Sequence, residues 1–170
     1  LEQLEAAFYI QVNASFYSNI SAAEKSILSD IMNHEIAHRD FFKKALGSAA
    51  IPALTPDFSS IDFTSRTSVL GTAKAFEDLG VSAYNGAGQY IQSSDYLTVA
   101  GKIVSVEARH AAAIRDLLNP GSADFAGDDV VASSTGLDFS RTPNSTTGGP
   151  SIVATANTYL KTKISANQLP

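Results

Sequence analysis

A glutamate and a histidine stand three residues apart in two similar stretches of the sequence. The first pair is Glu35 and His38 in HEIAHRDF (34–41), and the second is Glu107 and His110 in VEARHAAAI (106–114). Residues three apart lie on the same face of an α-helix. Carboxylate oxygen and imidazole nitrogen together form a mixed ligand set suited to divalent transition metals. One such pair is a weak signal, so the prediction depends on what accompanies it.

Two further glutamates accompany the two pairs at a constant offset. Glu5 precedes Glu35 by the same distance as Glu77 precedes Glu107, and the second set follows the first by 72 residues: 5 to 77, 35 to 107, 38 to 110. All of them fall on apolar stripes with steps of three and four, which is the period of a helix face turned toward a core. The offset indicates an internal repeat of one helical hairpin.

The elements that must hold these residues are four helices. Helix A is predicted from the N-terminus to about Tyr17, helix B from a capping box at Ser21 and Glu24 to Leu46, helix C over 65–91, and helix D from a Ser93 or Ser94 cap to Leu118. The Pro- and Ser-rich stretch 47–64 has no helical period and predicts a long crossover between helices B and C.

The remainder, residues 121–170, reads as an irregular tail with one short helix in SIVATANTYLKTKIS. The predicted fold is therefore all-α: a four-helix bundle over residues 1–120 and a C-terminal extension over residues 121–170 that packs on or beside it.

Antiparallel packing brings the selected residues to one level. Glu5 lies about as far before the turn as Glu35 lies after it, which is roughly 20 Å at about 1.5 Å per residue. The second hairpin gives the same result within a turn. Four carboxylates in a dry core would cost several kcal/mol each if they were ionised and unpaired. Two divalent cations would balance them, with one imidazole for each cation.

Composition excludes several other kinds of site. The net charge of -5 and the absence of a Lys/Arg cluster argue against nucleic acid, and no apolar run is long enough to span a membrane. The chain has no cysteine, which removes disulfides, thiolate metal sites and cysteine nucleophiles.

The sequence resembles the ferritin-like superfamily, in the bacterial branch of ferritin-like and desiccation-associated proteins. The resemblance rests on LEAAFY (4–9), HEIAHRDFF (34–42), FEDLGVSAY (76–84) and VEARHAAAIRDLL (106–118). It implies a di-metal site in which Glu35 and Glu107 bridge two ions and Glu5 and Glu77 bind one ion each. His38 and His110 would then supply one nitrogen each. Iron is the first expectation, with manganese or a mixed pair as alternatives.

The resemblance also implies a reaction and a location. The first reading is an oxidoreductase that oxidises Fe(II) or reduces oxygen or peroxide in iron, oxidative or desiccation stress, with a separate electron donor. The second is a non-catalytic structural or stress-related binding module with a structural or vestigial metal site. Relatives are commonly exported, so export is expected, and a homodimer is left open.

One ligand position has an alternative in the sequence itself. Glu2 lies one helical turn from Glu5 and could replace it on helix A, although Glu2 does not fit the offset of 72. His34 neighbours the first motif on another face and is predicted to be a surface or supporting residue.

Overall fold

Five α-helices make up most of the described chain. The computed structural model describes residues 1–127, 131–132, 137–138 and 151–166. The helices are α1 (Glu2–Ala14), α2 (Ala22–Leu46), α3 (Arg66–Ala87), α4 (Ser94–Leu118) and α5 (Ile152–Thr158). Short 3₁₀ turns follow at Gly47–Ala49, Gly88–Tyr90 and Ala123–Ala126, and β1 (Val131–Ala132) pairs antiparallel with β2 (Leu137–Asp138).

These elements fall into two compact units. The first contains Leu1–Val69 and Ala156–Lys163, and the second contains Leu70–Thr155 and 164–166, as far as they are described. The predicted boundary at residue 120 stays a prediction. Within the described residues, no helix combines the length and apolar character needed to cross a membrane.

In the first unit, α1 and α2 form an antiparallel hairpin. The predicted capping box is confirmed, since Ser21 Oγ accepts from the Glu24 backbone N–H at 3.1 Å and Glu24 Oε2 accepts from the Ser21 N–H at 3.0 Å. Gly47 ends α2 at a φ of 52°, a conformation that glycine adopts without the strain of a Cβ. Helix α1 ends at Ala14, earlier than predicted, although Tyr17 remains buried.

The Asn13 side chain joins the two helices of this hairpin. Its amide donates to the carbonyls of Tyr9 at 2.9 Å and Leu28 at 3.1 Å, and its oxygen accepts from Ser29 Oγ at 2.6 Å. Both helices carry buried apolar side chains, among them Leu4, Phe8 and Val12 on α1 and Leu28 and Ile31 on α2. This polar connection inside an apolar interface selects one register over its neighbours, because a shift would leave the amide groups unsatisfied.

The crossover is hydrogen-bonded to α1 and to residues 159–161, which follow α5. Gln3 accepts from the Leu54 N–H at 2.8 Å and donates to the Pro52 carbonyl at 3.3 Å. Pro56 forms an antiparallel bridge with Leu160, with hydrogen bonds from Asp57 N–H to the Tyr159 carbonyl and from Lys161 N–H to the Thr55 carbonyl. The predicted short helix of the tail is α5, and Leu160 just beyond it is 1% exposed.

In the second unit, an ion pair joins α3 to α4. Arg115 is buried and donates to Asp78 through Nε at 3.2 Å and Nη2 at 2.6 Å. It also donates through Nη1 to the Asp124 carbonyl at 3.4 Å. Bidentate arginine–carboxylate geometry fixes both distance and angle between its partners. The contact therefore holds α4 against α3 and against the 3₁₀ turn that follows α4.

Glu24 is the centre of a polar network in the first unit. Burial alone raises its pKa, but the hydrogen bonds from Ser21 and the Arg66 guanidinium, at 2.7 Å, more than offset that effect and hold the pKa below its usual range. Tyr17 lies beside the same network, where burial and the charge of Glu24 raise its pKa to about 12.

Replacing Glu24 should weaken the protein in a pH-dependent way. We expect Glu24→Gln to lower the free energy of unfolding at pH 7 by about 1–2 kcal/mol, because charge-assisted hydrogen bonds are lost. Since the pKa is lowered on folding, this contribution is present above the ordinary value of 4.5 and is lost as the pH falls through the folded value. Urea unfolding should therefore show a smaller difference from wild type at pH 3 than at pH 7. Asp30→Asn, which changes an exposed carboxylate on the same helix, is the control, and an equal Glu24 effect at both pH values would contradict the assignment.

Removing Arg115 should be far more damaging than removing a surface arginine. We expect Arg115→Ala to cost about 3 kcal/mol, because Asp78 would keep a partly buried charge without its guanidinium. Arg39 pairs with Asp40 at 2.9 Å with its side chain 33% exposed, so Arg39→Ala should cost less than about 1 kcal/mol. Denaturant unfolding of the two variants measures the difference. Similar losses would show that the Arg115 contact does not anchor α4.

Candidate metal centre

Each unit contains one buried group of two glutamates and one histidine. The first cluster consists of Glu2, Glu35 and His38, and the second consists of Glu77, Glu107 and His110. In each cluster, one ligand atom of every residue lies within 4.8 Å of a ligand atom of the other two. The exposed fraction is 0% for Glu35, Glu77 and Glu107. Glutamate is almost never buried to this extent unless it is paired.

The first cluster is assembled from both helices of the first hairpin. His38 Nδ1 lies 3.5 Å from Glu2 Oε2 on α1 and 3.4 Å from Glu35 Oε2 on its own helix. Glu35 and His38 share one face of α2 because they are three residues apart. Helix α1 supplies its carboxylate from its first turn, where acidic side chains are also favoured by the helix dipole.

The second cluster contains the same residue types, supplied by α3 and α4, but its first carboxylate is Glu77, the repeat counterpart of Glu5. His110 Nδ1 lies 3.2 Å from Glu77 Oε2 and 4.0 Å from Glu107 Oε2. Asp78 follows Glu77 directly and Arg115 lies five residues after His110, so their ion pair holds the same two helices beside the cluster. Both histidines thus turn Nδ1 toward carboxylates from two helices.

The spacing of these atoms suits a metal ion. Ligand atoms held about 2.1 Å from one ion are about 3.0–3.4 Å apart, depending on the coordination angle. The distances at His38 and the shorter distance at His110 lie within about 0.1 Å of that range. Two carboxylates and an imidazole at these distances form a donor set for a divalent transition metal.

Five of the six predicted ligands lie in the two clusters. These are Glu35, His38, Glu77, Glu107 and His110. Glu5, the predicted helix A ligand, is buried at 1% exposure one turn from Glu2, and its role as a ligand stays a prediction. In the first cluster the glutamate from α1 is Glu2, the alternative left open in the sequence. His34 is exposed.

The position of Glu2 follows from the hairpin register. In antiparallel helices, moving one residue toward the connecting turn on α1, to a higher residue number, corresponds to moving one residue toward the turn on α2, to a lower residue number. Contact between Glu2 and His38 therefore puts Glu5 at the level of Glu35. The 72-residue offset compares positions along the chain and carries no information on this pairing. Counting outward from the turn puts Glu5 level with Glu35, and the sequence signal that pointed to Glu2 is its place one helical turn from Glu5.

Comparison with known proteins is consistent with this architecture. A family model described as a ferritin-like domain matches residues 1–120, which include α1 to α4 and all six residues of the two clusters. No curated protein matches the chain. The match covers most of the 170 residues, and the described helices agree with the predicted all-α fold. The chain belongs to the ferritin-like family, its fold is that of a ferritin-like helical bundle, and its buried carboxylate and histidine clusters are compatible with a pair of metal ions.

Proposed function

We propose that the two clusters together hold two divalent transition-metal ions, and that the protein uses them to oxidise Fe(II) or to reduce oxygen or peroxide. The observation that carries the proposal is the burial of two carboxylates and one histidine at ligand spacing in each hairpin of a ferritin-like chain. Iron is the proposed metal, with manganese or a mixed pair as alternatives, since oxygen and nitrogen donors accept both.

The proposed roles differ among the ligands. Glu35 and Glu107 each offer two oxygens and would be the bridging ligands, as the family resemblance implies. Glu77 and a glutamate of α1, which is Glu5 or its alternative Glu2, would bind one ion each, and the Nδ1 atoms of His38 and His110 would each bind one ion. Four carboxylates then balance the charge of two divalent cations, which removes the cost of burying them.

The protein side chains also determine the setting of the reaction. A bound pair of redox-active ions supplies two electrons, one from each ion. The complete burial of Glu35, Glu77 and Glu107 keeps bulk water away from the donor atoms. Electrostatic interactions are stronger in such a medium than in water. The carboxylates would therefore stabilise a high positive charge on bound ions.

The biological setting completes the proposal. We place the reaction in protection against iron, oxidative or desiccation stress, with a separate molecule as electron donor because the chain has no cysteine-based redox site. Export from the cell, a bacterial source and a homodimer stay predictions based on the family resemblance alone.

Loss of a bridging ligand should remove both ions. We expect elemental analysis of the full chain, purified without added metal and then loaded with Fe(II) without oxygen, to give about two ions per chain. Glu35→Ala or Glu107→Ala should reduce this to near zero, because each contacts both ions in the proposed arrangement. Glu24→Gln changes a buried glutamate outside both clusters and should retain both ions. Full occupancy in Glu35→Ala would contradict the bridging role.

The oxidation itself can be measured directly. We expect Fe(II) added under air to be oxidised at least tenfold faster by the wild-type protein than by Glu107→Ala, with consumption of oxygen or peroxide. Absorbance of the ferric product and an oxygen or peroxide assay provide independent readings. Tightly bound metal that is inert to both oxidants would contradict the redox proposal and support the structural or binding module instead.

A further inference from the structure

Helix α1 carries two buried glutamates where its repeat partner α3 carries one. Glu2 and Glu5 are 8% and 1% exposed and lie three residues apart, hence on one face of α1. At the offset of 72, the counterpart of Glu5 is Glu77, whereas the counterpart of Glu2 is Lys74. The two hairpins are therefore chemically unequal at one position of an otherwise repeated set.

The unequal position, Glu2, belongs to the first cluster. Glu2 Oε2 is 3.5 Å from His38 Nδ1, and the Glu35 carboxylate is 3.4 Å from the same nitrogen. The hairpin register puts Glu5 at the level of Glu35 and Glu2 at the level of His38. Both α1 carboxylates can thus face one ion from adjacent turns without any change of register.

We propose that Glu2 is an additional metal ligand that acts together with Glu5, so that the ion beside His38 has one more carboxylate than the ion beside His110. The inference rests on the proposed function, because it assumes that the clusters bind metal. A lysine ammonium at position 74 has no lone pair to donate and repels a cation. The two metal positions are therefore inequivalent, and the His38 position fills first.

The consequence is a difference in affinity. Oxygen-ligand sites bind divalent cations more tightly as their count of charged ligands rises. The extra carboxylate also favours a higher metal charge at the His38 position than at the His110 position. An ion that binds first and stays bound there would leave the His110 position as the exchangeable one, suited to incoming Fe(II).

The test is a titration of the metal-free full chain with Co(II), followed through the visible absorption of the bound ion and by calorimetry. We expect two steps whose association constants differ at least tenfold in the wild type. Glu2→Gln should lower the first constant at least tenfold and leave the second unchanged. Lys74→Glu should raise the second constant. Glu24→Gln, a buried glutamate-to-glutamine change outside the clusters, should match wild type.

The outcomes separate this inference from the proposed function. Two steps that are unchanged in both Glu2→Gln and Lys74→Glu would overturn the role of Glu2 and leave the di-metal proposal standing. Failure of the wild-type chain to bind Co(II) at either position would overturn both. Lys74→Glu tests the inference by gain of affinity, so it stays decisive even if Glu2→Gln, checked by circular dichroism, does not fold.

Discussion

Burial of carboxylates is the physical constraint on which this molecule depends. All six glutamates of the chain are buried, although an ionised carboxylate without compensation costs several kcal/mol on transfer from water to a protein interior. Glu24 is compensated by its capping box and Arg66. The other five lie at or next to the two histidine clusters, where like charges approach one another. Divalent cations are the compensation that this donor set favours.

The rest of the fold maintains the spacing that such a site needs. Asn13 fixes the register of the first hairpin, and the Arg115 to Asp78 ion pair fixes α4 against α3 next to Glu77. Gln3 joins α1 to the crossover immediately beside Glu2. Gln3, Asp78 and Arg115 lie one to five residues from a candidate ligand, so these packing contacts also orient the donors. Preorganised donors avoid the cost of assembling a site when the ion binds.

Much of this could be predicted from the sequence because the helices are amphipathic and capped. Stripes with steps of three and four located Glu35, His38, Glu107 and His110, and the Ser21 capping box marked the start of α2. Periodicity reports burial rather than helicity, which explains the error at the end of α1: Tyr17 is buried, yet the helix has already ended. The place of Glu2 depends on the hairpin register, which spacing along one chain does not contain. The bridge between Pro56 and Leu160 uses backbone groups, so the pattern of side chains in the sequence does not predict it.

A crystal structure of the full chain loaded with iron, with anomalous differences recorded at the iron absorption edge, would show whether the two histidine clusters hold metal ions. We expect two strong anomalous peaks per chain, one within coordination distance of His38 Nδ1 and the other within coordination distance of His110 Nδ1. Glu35 and Glu107 should contact both peaks. Peaks confined to surface carboxylates, or clusters without anomalous density in a fully folded protein, would contradict it.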